Sequence, residues 1–200
     1  HRLEYYLAVL VFSAVCGFTP GPNNIMLMTS GLNHGIKKTL PHYFGVVLGY
    51  PFMLALLGAG LASIFINFPL VHLALKCIGV VYIIFLAWKI ANAGNPDANQ
   101  KLRAPLSFLQ GAAFQWFNPK GVLFAIGSIA AFTSPETMVE NLIFIVFANM
   151  LVAFASAATW LVLGSGLQRL IQSDKQVLVF NWTMAFLLVL SIVPILTMHI

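Results

Sequence analysis

Polar residues that could take part in chemistry are concentrated in two short segments of this chain. The first is Phe18–Asn24, with the sequence Phe-Thr-Pro-Gly-Pro-Asn-Asn, and the second is Gln115–Lys120, with the sequence Gln-Trp-Phe-Asn-Pro-Lys. Both combine proline, which interrupts a helix, with amide side chains that donate and accept hydrogen bonds. The second segment adds a lysine, whose ammonium group can bind an anion. Each segment therefore predicts a break in a helix beside groups that bind polar ligands.

The rest of the chain is too apolar for a water-soluble domain. Of its 200 residues, 8% are charged and 60% are hydrophobic, whereas soluble domains contain about 25% charged and about 45–50% apolar residues. The mean hydropathy of +0.92 agrees. This composition indicates a polytopic membrane protein whose main partner is the lipid bilayer, and it argues against a disordered chain, a nucleic-acid binder and a conventional soluble enzyme. Two cysteines are too few for a disulfide framework, and we expect neither a cofactor nor a metal site.

The chain contains six apolar segments that are long enough to cross a bilayer, and each crossing takes about 20 residues. None alternates as the strands of a membrane barrel would, so we expect an all-α fold. The first segment could instead be a signal peptide that ends near Cys16, but its apolar run continues to Phe18, which favours a retained helix. The predicted segments are Tyr5–Met28, Pro41–Asn67, Pro69–Ile90, Leu106–Phe132, Asn141–Leu163 and Val177–Leu196.

A long polar connector, residues 92–105, divides the chain into two halves of three segments each. Residues 1–91 and 106–200 then form two three-helix repeats within one transmembrane domain. Because three is an odd number, the second repeat enters the membrane from the opposite side, as in many transporters. The broken segments one and four align on Phe18-x-Pro20 and Phe117-x-Pro119, with an offset of 99 residues. The sequence thus predicts two inverted repeats with helices one and four broken.

The distribution of lysine and arginine predicts the orientation in the membrane. Connectors one, three and five contain or adjoin seven of the ten Lys and Arg residues, whereas the connector after segment four offers Glu136 and Glu140. Positively charged connectors stay in the cytoplasm, so we expect both termini outside. The seven residues are Lys37, Lys38, Lys89, Lys101, Arg103, Arg169 and Lys175.

Two prolines around a glycine cannot lie in an uninterrupted helix, because each proline removes a hydrogen bond and clashes one turn back. In hydrocarbon, the freed carbonyls must be satisfied by protein or by a water-lined cavity. The break at Pro20-Gly21-Pro22 therefore predicts a cavity, with Asn23 or Asn24 able to cap the helix that restarts or to bind a ligand. A purely structural kink is the alternative.

Lys120 lies near the middle of the fourth segment, about 20 Å from either membrane interface. A cation at this depth needs an anion, a dipole or water. We expect its partner to be carbonyls of a broken helix, water or the carboxylate of a ligand; the alternative is that it binds helix-end carbonyls alone. The acidic residues all lie at termini or in connectors, and they are Glu4, Asp97, Glu136, Glu140 and Asp174.

The absence of acids in the apolar segments also constrains the ligand. A cationic cargo normally meets carboxylates, whereas a small zwitterion fits a site of amides, carbonyls and one lysine. Its carboxylate would meet Lys120 or a helix N-terminus, and its ammonium group would meet carbonyls released by Pro20 and Pro22. The candidate substrate-binding residues are Pro20, Gly21, Pro22, Asn23, Asn24, Gln115, Asn118, Pro119 and Lys120.

Proton coupling would lack an obvious carboxylate carrier in this chain. Lys120 and His42 are candidates because their side chains titrate, although a position at the membrane interface, without a role in coupling, is the favoured interpretation of His42. Gly45 and Gly49 form a small-xxx-small pattern that predicts close helix packing, either within the chain or in a homodimer.

Six motifs follow one another along the chain: Pro20-Gly21-Pro22-Asn23, Gly31-x-x-x-Gly35, Gly45-x-x-x-Gly49, Leu86-Ala87-Trp88-Lys89, Phe108-x-x-Gly111 and Asn118-Pro119-Lys120. Together they resemble the LysE/RhtB superfamily of bacterial amino-acid exporters, most closely the cysteine/O-acetylserine subgroup. The resemblance covers essentially the whole chain. It implies that the protein is a transporter rather than an enzyme. Such a transporter moves small neutral amino acids or derivatives (cysteine/O-acetylserine, threonine/homoserine or leucine) out across the bacterial inner membrane, driven by the proton motive force.

A different class of six-helix membrane protein, the thiol–disulfide electron carrier, is the main alternative. Such a carrier needs one redox cysteine near the break in each half. Cys16 lies four residues before Pro20, but its equivalent in the second half is Gln115, and Cys77 lies elsewhere. Two cysteines in unmatched positions favour a packing role. A membrane scaffold without transport activity would leave the cost of a broken, charged helix unexplained.

Overall fold

A computed structural model of the chain describes residues 2–94 and 104–197, except for the side chain of Ile195. Within these ranges the chain is helical and contains no strand, which confirms the all-α prediction; the predicted connector at 95–103 lies outside them. A π-helical turn, Leu57–Leu61, follows α2, and a 3₁₀ turn, Gln115–Phe117, follows α5. The helices are α1 (Arg2–Phe18), α2 (Pro22–Leu56), α3 (Ala62–Asn67), α4 (Pro69–Ala91), α5 (Phe108–Phe114), α6 (Pro119–Phe132), α7 (Met138–Leu167) and α8 (Asp174–Leu196).

Four helical stretches in the described ranges are long and apolar enough to cross a membrane. Leucine, valine and phenylalanine side chains cover much of the outer surface. Such a surface suits lipid, whereas in water a large apolar patch promotes association. The four stretches are Pro22–Asn67, Pro69–Ala91, Met138–Leu167 and Asp174–Pro194.

The helix α2 folds back on itself at Gly35. This glycine has φ 81° and ψ 174°, a positive φ that glycine adopts without steric cost. The hydroxyl oxygens of Ser30 and Thr39 lie 2.7 Å apart, although nine residues of straight helix would span about 13 Å. Residues 22–34 and 36–56 are therefore two adjacent arms. We expected a wider connector between Met28 and Pro41, but the polar residues around Gly35 remain helical.

The first arm of α2, together with α1, lies alongside α7 over its whole length. Contacts advance in the same direction along both partners, so α1 and the first arm run parallel to α7 and form one rod interrupted at residues 19–21. The contacts are Arg2 Nη2 to Glu140 Oε2 (3.2 Å), Trp160 Nε1 to the Phe18 carbonyl (3.2 Å) and Gln168 Nε2 to the Leu32 carbonyl (2.7 Å).

The second arm of α2 runs in the opposite direction to α7. The Tyr43 hydroxyl donates to the Phe154 carbonyl over 2.9 Å, and farther along the arm's continuation Gly58 lies against Leu142. Helices α4 and α8 are also antiparallel: Lys76 Nζ donates to the Leu196 carbonyl, while Gly94, at the other end of α4, lies against Val177.

The glycines of the predicted small-residue pattern pack the second arm of α2 against α5. A Cβ atom on Gly45 would lie 2.3 Å from the Phe108 carbonyl oxygen, and one on Gly49 would lie 2.7 Å from Ala112 Cα. The prediction of close packing is confirmed, and the contact is within the chain. Because the contact advances in the same direction along both helices, α5 runs parallel to the second arm.

Candidate functional site

Both predicted breaks are present in the structure. The chain leaves the helix at residues 19–21, between α1 and α2, and again at Asn118, between the 3₁₀ turn and α6. Helix α2 begins at Pro22 with Gly21 as its N-cap, and α6 begins at Pro119 with Asn118 as its N-cap. Proline suits the first helical position because no partner for its nitrogen is needed there. The expectation that Asn23 or Asn24 caps the restarted helix is wrong, since both lie inside α2.

The carbonyls that Pro20 and Pro22 would leave without donors are satisfied by side chains. In an unbroken helix the amides of residues 20 and 22 would donate to the carbonyls of Cys16 and Phe18. Instead, Thr19 Oγ1 donates to the Cys16 carbonyl over 3.1 Å, and Trp160 Nε1 donates to the Phe18 carbonyl over 3.2 Å. The protein itself therefore supplies the partners that hydrocarbon cannot.

Lys120 reaches from the second break to the first. Its Nζ donates to the carbonyl of Thr19 over 3.0 Å and to Thr19 Oγ1 at 3.1 Å. Asn24 Nδ2 donates to the same Thr19 carbonyl and to that of Gly17. Lys120 thus binds the carbonyl end of a broken helix, which is one of the partners expected for it. An ammonium group has three protons, and these contacts use two, so one remains for an anion.

Gly21 provides the space in which the Lys120 side chain lies. A Cβ atom on Gly21 would be 2.6 Å from Lys120 Cδ and 2.7 Å from Nζ. The backbone of Gly21 is extended, with φ −167°, which any residue adopts. The requirement for glycine here is therefore the close approach of the lysine rather than the backbone conformation.

Lys120 lines a cavity of about 80 Å³ between α1, both arms of α2, α6 and α7. The N-terminus of α2 and the N-terminus of α6 both open onto it, so two positive helix ends add to the charge of Lys120. Within the described ranges its lining contains no Asp or Glu. Six of the nine candidate residues line it: Gly21, Pro22, Asn23, Asn24, Asn118 and Lys120. Three do not: Pro20, Gln115 and Pro119.

Asn23 and Gln115 bind each other. Asn23 Nδ2 donates to Gln115 Oε1 over 2.8 Å, and Gln115 Nε2 donates to Asn23 Oδ1 over 3.0 Å. Gln115 is 0% exposed and also donates to the Gly111 carbonyl. The two amides connect the first break to the second, and in this structure they satisfy one another rather than a ligand.

A second cavity of about 40 Å³ lies beyond this amide pair. It is lined by residues of α2 between 26 and 34, by His42, by Leu86, Lys89 and Ile90 of α4, by Ala93 and by residues 104–106. The first cavity is lined by residues 21–24, by Val46 and Tyr50, and by residues of the 118–124 stretch. The two cavities therefore follow one another along the helices, and the hydrogen-bonded amides of Asn23 and Gln115 lie between them.

His42 lies in the lining of the second cavity and is 1% exposed. Neither ring nitrogen has a hydrogen-bond partner among the described residues. The ring packs against Gly111, where an added Cβ would lie 3.0 Å from His42 Cδ2, so His42 faces the interior of the protein rather than lipid.

Comparison with known proteins identifies the family of this chain. Residues 14–195 match the LysE type translocator family. The chain belongs to the LysE family. It is 32% identical over 193 residues to a cysteine/O-acetylserine efflux protein of Escherichia coli (strain K12), covering 94% of this chain and 95% of that protein. A cysteine/O-acetylserine efflux protein of Salmonella typhi is 33% identical over 136 residues, or 67% of this chain and 68% of that protein. No solved structure matches the chain significantly.

Membership of the LysE family confirms the resemblance seen in the motifs and makes the chain a membrane translocator rather than an enzyme. The redox alternative loses its basis, since position 115 carries a glutamine that is hydrogen-bonded to Asn23. Cys16 lines the first cavity as a free thiol, and Cys77 is an exposed free thiol. Among the residues that the structure describes, no cluster of His, Cys, Asp or Glu could hold a metal ion.

The sequence did not predict four polar residues that line the first cavity of this LysE translocator: Ser13, Tyr50, Asn149 and Ser156. Each is an isolated polar side chain in an apolar helix, and most such residues bond to their own backbone. Asn149, for example, donates to the Ile145 carbonyl. What distinguishes these four residues is their position opposite the two breaks, and only the packing of α1, α2 and α7 shows that position.

Proposed function

We propose that this LysE translocator is a secondary exporter that carries small neutral amino acids or their derivatives out of the bacterial cytoplasm across the inner membrane. The names of its relatives, cysteine/O-acetylserine efflux proteins aligned over nearly the full length, support this substrate class. The observation that carries the proposal is Lys120, in a cavity with two helix N-termini and no carboxylate among its described lining residues.

The proposed architecture is six spans in two inverted three-helix repeats, residues 1–91 and 106–200. The directions of the helices support it. The rod of α1 and the first arm of α2 runs parallel to α7, the second arm runs antiparallel to α7, and α5 runs parallel to the second arm. The two broken spans, the first and the fourth, therefore run in opposite directions. With the positive connectors in the cytoplasm, both termini lie outside.

The substrate's carboxylate binds at Lys120. The third proton of the ammonium group and the N-termini of α2 and α6 all favour an anion at this point. The carbonyls of Cys16 and Phe18, which we considered for the substrate's ammonium group, already accept hydrogen bonds from Thr19 and Trp160. A carbonyl can accept a second hydrogen bond, but acceptors of the cavity that have no partner are the better candidates for the ammonium group.

The Asn23–Gln115 amide pair is the barrier that substrate crosses between the two cavities. A pair of amides suits a barrier that opens, because such bonds contribute only about 0.6–2 kcal/mol in a membrane interior. His42 and Lys120 lie on the two sides of this barrier, one in each cavity. They are the proposed titratable groups of proton coupling.

Transport by purified protein in proteoliposomes tests the proposal. A panel of radiolabelled amino acids should show saturable transport of cysteine, O-acetylserine or a similar small neutral amino acid, which a proton gradient accelerates. Lysine, arginine and polyamines should not be transported, because the cavity lining described here offers them no carboxylate. Transport of the cationic compounds alone, or of none of the panel, contradicts the proposal.

A further inference from the structure

Two oxygen atoms in the lining of the first cavity have no hydrogen-bond partner in the described part of the chain: Ser13 Oγ and Asn118 Oδ1. Both residues are 2% exposed. Native proteins pair nearly all of their buried polar atoms, so an unpaired buried oxygen beside a cavity indicates a ligand or a water that fills the missing place.

Both side chains forgo a hydrogen bond that their position in the helix offers. A hydroxyl in a helix commonly donates to the carbonyl four residues back, as Thr29 does to Ile25 and Thr159 does to Ala155. Ser13 makes no such bond.

Asn118 departs from the usual pattern in the same way. It is the N-cap of α6, and asparagine at an N-cap usually accepts from the first helical amides, yet its side chain makes no cap bond. Neither oxygen is therefore engaged by its own helix, and both remain available to accept a hydrogen bond from a molecule in the cavity.

The two oxygens complement Lys120 in polarity and spacing. Thr19, which binds Lys120 Nζ, lies six residues after Ser13, or about 9 Å along α1. An amino acid whose ammonium and carboxylate groups lie about 3 Å apart covers this distance with a hydrogen bond of about 2.9 Å at either end. The backbone spacing between Ser13 and the contact of Lys120 with Thr19 thus matches the length of a zwitterion, and Asn118 lines the same cavity two residues before Lys120.

We propose that Ser13 Oγ and Asn118 Oδ1 accept hydrogen bonds from the substrate's ammonium group and form an amine subsite opposite Lys120. This inference rests on the proposed export function and fixes the orientation of the substrate within it. It means that the carrier recognises the free α-amino group as well as the carboxylate. Analogues without the amine keep only the contact with Lys120.

Competition against transport of labelled cysteine in proteoliposomes tests the subsite, with 3-mercaptopropionate as the analogue that lacks only the amine. In the wild type, cysteine should compete at least tenfold better than the analogue. Ser13→Ala and Asn118→Leu should each reduce the ratio of inhibitory potencies, cysteine over 3-mercaptopropionate, at least threefold. Only inhibition by cysteine should weaken. Ser13→Thr and Asn118→Asp, which keep an oxygen acceptor, should retain the preference for the amine.

Ser156→Ala is the matched control, because Ser156 lines the same cavity but its hydroxyl already donates to the Ala153 carbonyl; its ratio should equal that of the wild type. The melting temperature of Ser13→Ala without substrate should be no lower than that of the wild type, since an unpaired hydroxyl is removed. An unchanged ratio in both Ser13→Ala and Asn118→Leu, with cysteine still transported, overturns the subsite but not the export function. Absence of any amino-acid transport by the wild type overturns both.

Discussion

Asn23 and Gln115 exchange two hydrogen bonds, of 2.8 and 3.0 Å, between the two places where this LysE translocator interrupts its helices. One amide lies just inside α2 and the other begins the 3₁₀ turn before α6. Each alone would be a polar group in an apolar interior, and together they satisfy one another. Because a cavity lies on either side of the pair, its opening would connect the two cavities.

Weakening this pair should admit reagents from the cytoplasmic side. In a Cys77→Ser background, Cys16 in the first cavity is the one thiol of the 200-residue chain. Loss of an amide pair worth about 0.6–2 kcal/mol should raise the open population about 3- to 30-fold. Gln115→Ala should therefore speed the reaction of Cys16 with a membrane-impermeant thiol reagent, added to inside-out vesicles, by a factor in that range.

Asn181→Ala is the control for the loss of a buried amide pair as such. Asn181 and Asn33 also exchange two hydrogen bonds, of 2.6 and 3.0 Å. Asn33 lines the second cavity, but neither residue lines the first cavity, in which Cys16 lies. Replacement of Asn181 should leave the reactivity of Cys16 unchanged. Equal acceleration in both variants would show that general loosening, and not a barrier at Gln115, controls access to Cys16.

Replacing Gly21 should disturb transport without disturbing the fold. In Gly21→Ala the new methyl group would occupy the place of Lys120 Cδ and Nζ, and a flexible lysine can move aside at little cost in stability. We expect the KM for substrate to rise about tenfold, equivalent to about 1.4 kcal/mol of lost binding, with an unchanged melting temperature.

Gly127→Ala provides the comparison for this substitution, because Gly127 lies on the same helix as Lys120 and an added Cβ there meets nothing within 4 Å. Its KM should remain that of the wild type, and its stability should be equal or slightly higher because alanine favours helix. A wild-type KM in Gly21→Ala would mean that the observed position of Lys120 is not needed for binding.

The helices, both breaks and the polar surroundings of Lys120 were predictable from the sequence because each depends on local chemistry. Proline at 20, 22 and 119 interrupts a helix wherever it is placed, and a lysine about 20 Å from either interface needs a polar environment whatever surrounds it. The turn at Gly35 was located only approximately, since its polar neighbours are compatible with both helix and connector.

The pairings across the bundle could not be predicted in the same way. Asn23 and Gln115 are 92 residues apart, and nothing local distinguishes an amide that binds another amide from one that binds a ligand. Ser13 is a similar case, because the sequence of an apolar helix does not show whether a serine in it is unpaired or bonded to its own backbone. Only the packing of α1 against α6 and α7 separates these possibilities.

The orientation that we propose for the chain in the membrane rests on its positive connectors and is open to a direct test. In a chain without its native cysteines, Asn99→Cys and Glu136→Cys place single thiols in two different connectors; position 99 lies outside the described residues. An impermeant maleimide should label Asn99→Cys at least tenfold faster from the cytoplasmic side than from the outside. For Glu136→Cys the labelling should be at least tenfold faster from the outside. Labelling of both from one side would contradict the six-span arrangement, and labelling with the sides exchanged would contradict the orientation.

The central claim is that Lys120 binds the carboxylate of the transported amino acid. The most direct measurement is transport of labelled substrate by Lys120→Ala in proteoliposomes, beside Lys76→Ala, whose lysine lies outside the first cavity. Lys120→Ala should insert and remain folded, yet transport no faster than protein-free liposomes, while Lys76→Ala should retain wild-type transport. Transport by Lys120→Ala at the wild-type rate and KM would contradict the account.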